Sequence, residues 1–126
     1  MAYIYYNPNP EHKRTGDCVI RALSKALDCS WTDAYISLMA EGLSLYDMPS
    51  ANYVWGMLLE KNDFVMHPIS HECPDCTTVG SFAESHDKGV YVLATQNHAV
   101  CVIDGNVYDT WDSSGEVILY FYEKEI

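Results

Sequence analysis

The sequence predicts an α+β domain, with N-terminal helices packed on a C-terminal antiparallel β-sheet, and three observations carry that expectation. Apolar residues recur at helical spacing through the first part of the chain. From Gly89 the period changes to short runs of β-branched and aromatic residues. Helices first and strands after is the segregated order of α+β domains.

The elements follow in chain order. Ala2-Tyr3-Ile4-Tyr5-Tyr6 is aromatic and β-prone, and Asn7-Pro8-Asn9-Pro10 stops it with a turn. A first helix begins near Asp17, with Thr15 or Asp17 as cap, and runs to about Leu27. Val19, Ala22, Leu23 and Ala26 give it one buried stripe. Ser30 followed by Asp33 resembles a capping box opening a second helix. Trp31, Ala34, Tyr35, Leu38 and Met39 are its apolar positions, and Gly42 is its expected stop. A third helix follows Pro49-Ser50, with Tyr53, Val54, Met57 and Leu58 facing inward, and a short fourth spans Thr78 to His86. Strands are expected over Val90–Leu93, His98–Ile103, Val107–Trp111 and Val117–Tyr122, forming a meander with a hairpin turn at Asp104-Gly105.

A chain of 126 residues suits one domain, read here as 1–126, and a hydrophobic fraction of 48% is enough for a core. The formal charge is −11 and unevenly spread. Residues 1–31 hold four basic and three acidic side chains, a balance of +1; the other three basic and fifteen acidic ones give −12 over 32–126. Nucleic acid and anionic membranes need clustered Lys and Arg, so neither is expected as a partner. No leader-like or membrane-length apolar segment stands out, which predicts a cytoplasmic, reducing setting. Five cysteines, an odd number, then raise the question of which thiol is reactive or metal-bound.

Cys18 lies in the first turn of the first helix, behind Gly16-Asp17. A thiol there meets unpaired backbone N–H groups and the positive end of the helix dipole, which favour thiolate and can also hold an oxyanion. Cysteine is equally at home as a small buried hydrophobe, and Cys29 and Cys101 read as core. His98 opens a strand in Asn97-His98-Ala99-Val100. A two-residue turn at Asp104-Gly105 pairs Ile103 with Asn106, and so places Asp109 diagonal to His98 on one face. A bulged three-residue loop puts Asp112 there instead. Either register brings a carboxylate to the imidazole, as a thiol nucleophile requires.

Gly16-Asp17-Cys18, His98-Ala99-Val100 and Asp109-Thr110-Trp111-Asp112, in that order, resemble the papain-like cysteine peptidase superfamily. The last segment is similar to the Asn-Pro-Trp-Asp of staphopain-type enzymes. The chain also resembles small bacterial and phage proteins sharing its Gly-Asp-Cys and Tyr-Asp-Thr-Trp-Asp segments. The resemblance implies a papain-like fold with Cys18 as nucleophile, His98 as general base and acid, Asp109 as orienting residue and Trp111 as a shield over their contact. It implies a peptidase, amidase or acyltransferase whose amide, peptide or isopeptide substrate is attacked to give a thioester that water or another nucleophile resolves, in a bacterium or an infected host cell, with no cofactor. The family's oxyanion-hole Gln has no counterpart: His12 stands six residues before Cys18, and Asn7 or Asn9 are the alternatives. The other reading on the same fold is a catalytically inactive interaction protein acting on a host protein.

A rival site is the Cys-x-x-Cys of Cys73 and Cys76 with His67, His71 and His86 nearby, which has the spacing of half a structural zinc site. Pro74 between Glu72 and Asp75 equally suits a solvated turn, and zinc is not expected. The ten tyrosines read as half-buried strand residues, and the acidic excess as a solvated surface.

Overall fold

The computed structural model describes residues 1–69 and 76–125. It holds four helices, α1 (Cys18–Ala26), α2 (Trp31–Leu45), α3 (Asn52–Lys61) and α4 (Val79–Ser85). Six strands, β1 (Ala2–Tyr5), β2 (Phe64–Pro68), β3 (Val90–Thr95), β4 (Ala99–Ile103), β5 (Asn106–Asp109) and β6 (Ile118–Lys124), form one sheet in the order β1-β5-β4-β3-β6-β2.

The sheet is mixed, and this corrects two expectations. β1 pairs with β5 in parallel, so the N-terminal aromatic run joins the sheet. The outer edge of β5 is thereby occupied, and β6 returns across the sheet to pair with β3 rather than continuing a meander. β2, which no sequence signal marked, covers the far edge of β6. Strands and helices are therefore less segregated along the chain than their order suggested. The hairpin is as expected: Ile103 pairs with Asn106, and Asp104 and Gly105 both take positive φ, 50° and 78°. That is the twist a two-residue turn needs to match its strands.

Alternation along the central strands divides the core between two faces. Val92, Ala94, Ala99 and Cys101 face α1, α2 and α3, where Leu23, Leu38, Val54 and Leu59 meet them. Tyr91, Leu93, Val100 and Val102 face the other way, against Val79 and Phe82 of α4. Each large apolar side chain so buried contributes about 1.5–3 kcal/mol.

Helix signals held with local changes. Ser30 caps α2 by accepting from the Asp33 N–H at 3.0 Å, and Thr78 caps α4 in a reciprocal box with Ser81. Gly42 does not stop α2; the helix runs on to Leu45 and ends at Tyr46, with φ 51°. The absence of a Cβ at Gly42 instead lets the Asp47–Pro49 turn close against the helix, where a Cβ would lie 2.9 Å from the Asp47 carbonyl. In α3 the buried face is Val54, Trp55, Leu58 and Leu59, leaving Tyr53 exposed. Among the described residues no helix is long and apolar enough to cross a membrane.

Candidate active site

Cys18 is the first residue of α1, and Asp17 occupies the cap position without capping. Its carboxylate is turned aside: Oδ1 accepts from Arg21 Nη1 at 2.6 Å and Oδ2 from Trp31 Nε1 at 2.8 Å. An Asp at this position ordinarily bonds the first-turn N–H groups. Withholding it leaves those donors, which have no partner inside the helix, beside the sulfur.

His98 is placed by a tight connection between β3 and β4. Its carbonyl accepts from the Thr95 N–H at 2.8 Å and the Thr95 hydroxyl at 3.2 Å, with Gln96 and Asn97 at the corner. The ring then reaches two partners. Nε2 lies 2.6 Å from Asp109 Oδ2, and the other side of the ring faces the Cys18 thiol. An ionised carboxylate only accepts, so Nε2 carries the hydrogen and Nδ1 is left for the sulfur.

Asp109 ends β5, and all its oxygen directions are engaged. Oδ1 accepts from Arg21 Nη2 at 2.9 Å and the Thr110 N–H at 2.8 Å; Oδ2 accepts from His98 and from Ser113 Oγ at 2.7 Å. Its backbone carbonyl takes the Tyr6 N–H at 2.8 Å and the Tyr3 hydroxyl at 3.3 Å, so β1 pins the strand end. Among the described residues, no buried side-chain nitrogen or oxygen lacks a partner.

The electrostatics follow from these contacts. Burial pushes the Cys18 thiol up, but hydrogen bonds from His98 and the Ala99 N–H, with the charges of His98 and Arg21, bring it below its ordinary value. Burial alone lowers His98, yet Asp109 and Cys18 raise it to about 9. Burial likewise opposes ionisation of Asp109, while His98, Ser113 and the Thr110 N–H hold it below the usual carboxylate range. Those directions favour a thiolate beside an imidazolium. Cys101, fully buried, is pushed far up by desolvation.

Cys18 and His98 stand in the wall of a cavity of about 480 Å³. Its lining is mainly apolar, with Val19, Ile20, Leu38, Met39, Met48 and Trp55, and Asn52, Gln96 and Asn97 add amide groups.

Other residues singled out in the sequence fall elsewhere. Asp112 is exposed and accepts from the Ser114 N–H and hydroxyl at 3.1 and 2.6 Å, the outcome of the two-residue turn. Trp111 packs on the His98 ring, centroids 5.0 Å apart. Asn9 and His12 do not line the cavity. The Asn9 carbonyl oxygens shape their own loop, taking the Glu11, Lys13 and His12 N–H groups, and Asn7 bonds the Lys13 carbonyl. The side-chain amides that do line the cavity are Asn52, Gln96 and Asn97, which the sequence did not offer for the oxyanion. His71 and Cys73 lie outside the described residues. Cys76 precedes α4, His86 stacks on Phe82 with Nδ1 2.8 Å from the Phe82 carbonyl, and His67 stacks on Phe121. Among the described residues no cluster of three or more His, Cys, Asp or Glu is placed to hold a metal.

Sequence reasoning missed Arg21 and Ser113. Arg21 interrupts an apolar stripe four residues after Asp17, an acid–base spacing that signals a paired charge on a buried face. Ser113 had no signal.

No protein-family model matches the chain, and no curated protein or solved structure does so either.

Proposed function

We propose that this protein is a papain-like cysteine hydrolase acting on an amide, peptide or isopeptide bond through a thioester. One observation carries the reading: the Cys18 thiol at a helix N-terminus faces an imidazole whose opposite nitrogen is held 2.6 Å from a buried carboxylate. In the reaction the thiolate attacks the acyl carbon and the carbonyl oxygen gains negative charge. The N-terminal N–H groups of α1 stabilise that oxyanion. His98 gives its Nδ1 proton to the leaving amine, and the thioester forms as the C–N bond breaks. Water, deprotonated by the now neutral His98, then attacks the thioester and releases the acid and the thiol. Trp111 over the ring keeps water from the His98–Asp109 contact. The apolar cavity beside the sulfur supports a substrate with a bulky uncharged group next to the scissile carbonyl.

Two labels test this. Iodoacetamide should modify Cys18 ahead of Cys29 and Cys101, with its reactivity rising at a pH below the roughly 8.5 of an ordinary thiol. A peptidyl acyloxymethyl ketone with an apolar residue beside the electrophile should give a single adduct, mapped to Cys18 and absent from the His98→Ala protein. Faster labelling of Cys29, or no peptidyl adduct on a folded protein, would sink the enzyme and favour the inactive interaction protein.

A further inference from the structure

Arg21 is 5% exposed, Asp17 6% and Asp109 1%, and they form a continuous chain: Trp31 Nε1 to Asp17, Asp17 to Arg21 at 2.6 Å, Arg21 to Asp109 at 2.9 Å, Asp109 to His98. We propose that Arg21 is a positioning residue of the Cys18–His98 site, its forked guanidinium fixing the Asp109 carboxylate and locking the helix that carries Cys18 to the strand that carries Asp109. The inference rests on the reading of Cys18 as nucleophile.

Energetics argue against a purely stabilising role. Three buried charges must lose their hydration, and apolar side chains of the same volume commonly serve stability equally well or better. On α1, Ala22, Leu23 and Ala26 are buried beside Arg21, Ser24 is the other buried polar residue, and Arg21 is the buried charge. A buried charged network directly behind a reactive pair is where local rules are expected to give way to function.

The geometry shows what the network does. Arg21 lies one turn after Cys18, on the same helix, while Asp109 is 88 residues away on β5. One nitrogen of the fork goes to each carboxylate, so Asp109 can rotate only by breaking a charge-assisted bond. With Oδ1 committed to Arg21, Oδ2 is the oxygen that meets His98. The same fork, with Trp31, keeps the Asp17 carboxylate off the helix N-terminus. A carboxylate capping there would occupy N–H groups that the oxyanion needs and would repel the thiolate.

The charged and titratable groups around this chain come from every neighbouring element. Asp17 precedes α1, Asp109 ends β5, His98 precedes β4, and Cys18 bonds His98 and feels the charge of Arg21. Tyr3 of β1 bonds the Asp109 carbonyl, and Arg14 Nη2 bonds the Thr110 carbonyl at 2.6 Å. Arg21 is the cation that touches both Asp17 and Asp109.

The test uses Arg21→Lys and Arg21→Gln in the full chain, with thermal melts, the pH profile of Cys18 alkylation, and the NMR signal of the His98 Nε2 proton. In the native protein the 2.6 Å bond should place that proton far downfield and slow its exchange. Arg21→Lys keeps the charge and loses the fork. It should melt cooperatively and hold the acidic limb of the alkylation profile. Its plateau rate should fall about tenfold or more, and the Nε2 proton should move upfield or exchange away. Arg21→Gln also loses the charge, and its acidic limb should move to higher pH. A folded Arg21→Lys with native plateau rate and native Nε2 signal overturns the proposal, whether or not the Gln variant folds. If native Cys18 shows no reactivity below an ordinary thiol, the nucleophile reading falls. The Nε2 signal then still reports on the Arg21 clamp alone.

Discussion

Two regions of this molecule are equally dry and chemically opposite. Under α4, Val79, Phe82, Leu93, Val100, Val102, Val107 and Ile118 are each 2% exposed or less. At the ends of α1 and β5, Asp109 and Ser113 are as buried, with Asp17 and Arg21 nearly so. The first region is stabilised by removing apolar surface from water and by close packing. The second places charges where that gain is absent, and it stands only because every carboxylate oxygen has a donor. Both lie along β4 and β5, so one hairpin carries the apolar core on its central residues and the reactive constellation at its end. Of these two regions, one contributes apolar packing to the fold and the other carries the chemistry.

Substitution in the apolar region should break the division most visibly. Phe82 packs its ring against Tyr91, Phe121 and His86. Phe82→Ala should cost about 3–5 kcal/mol in denaturant unfolding, from lost transfer energy and the cavity left behind. The alkylation rate of Cys18 in the folded fraction should stay native. A matching loss of Cys18 reactivity would show that the two regions are one cooperative unit.

The next effect lies wholly in the polar region. Asp109→Ala should lower Cys18 alkylation near neutral pH by about 100-fold, because the imidazole loses the group that orients and charges it. Asp112→Ala, removing an exposed carboxylate that bonds Ser114, should change it by less than about twofold. Equal losses would mean that the loop after β5, rather than the Asp109–His98 contact, controls the site.

The same contrast explains what the sequence made legible. Local signals were readable where neighbours in sequence decide the outcome. Ser30 and Thr78 cap helices, Asp104-Gly105 turns a hairpin, and that turn fixes the register that brings Asp109 rather than Asp112 to His98. The hairpin register implied that His98 meets Asp109, and the resemblance to papain-like peptidases added Cys18 to that pair. Parallel pairing of β1 with β5 was not readable, since it depends on partners about a hundred residues apart. Gly42 was misread as a stop because its role, close approach to the Asp47–Pro49 turn, exists only in three dimensions. Arg21 was half legible: its spacing from Asp17 signals one paired charge, while its second carboxylate, Asp109, comes from a distant strand. A helix pattern reports which face is buried, and a buried arginine is intelligible only once both carboxylates that hold it are known.

The smallest effect is the most specific, and it concerns proton counts. At pH between about 6.5 and 8.5 an unfolded chain carries a neutral histidine and a protonated thiol. His98, raised to about 9, keeps its proton in the folded state, and Cys18, lowered, gives its proton up at a lower pH than it does in the unfolded chain. Wherever the folded thiol is ionised and the unfolded one is not, one proton is bound by this pair in either state, and the pair adds no slope to stability. Cys18→Ala removes the thiol from both states. The folded protein then holds one proton more than the unfolded chain through Asp109 and His98. Stability from His98 is therefore full below about pH 6.5 and is lost as pH rises through its folded pKa, by up to about 1.4 kcal/mol per pH unit. That loss should be complete at a lower pH than the native value of about 9, because the raising effect of Cys18 is gone. The measurement is urea unfolding of native and Cys18→Ala proteins across this range, each referred to its own His98→Gln partner to cancel every other titrating group. A decline in both proteins would mean an imidazolium beside a neutral thiol, and no decline in Cys18→Ala would mean that Asp109 does not hold the charge on His98.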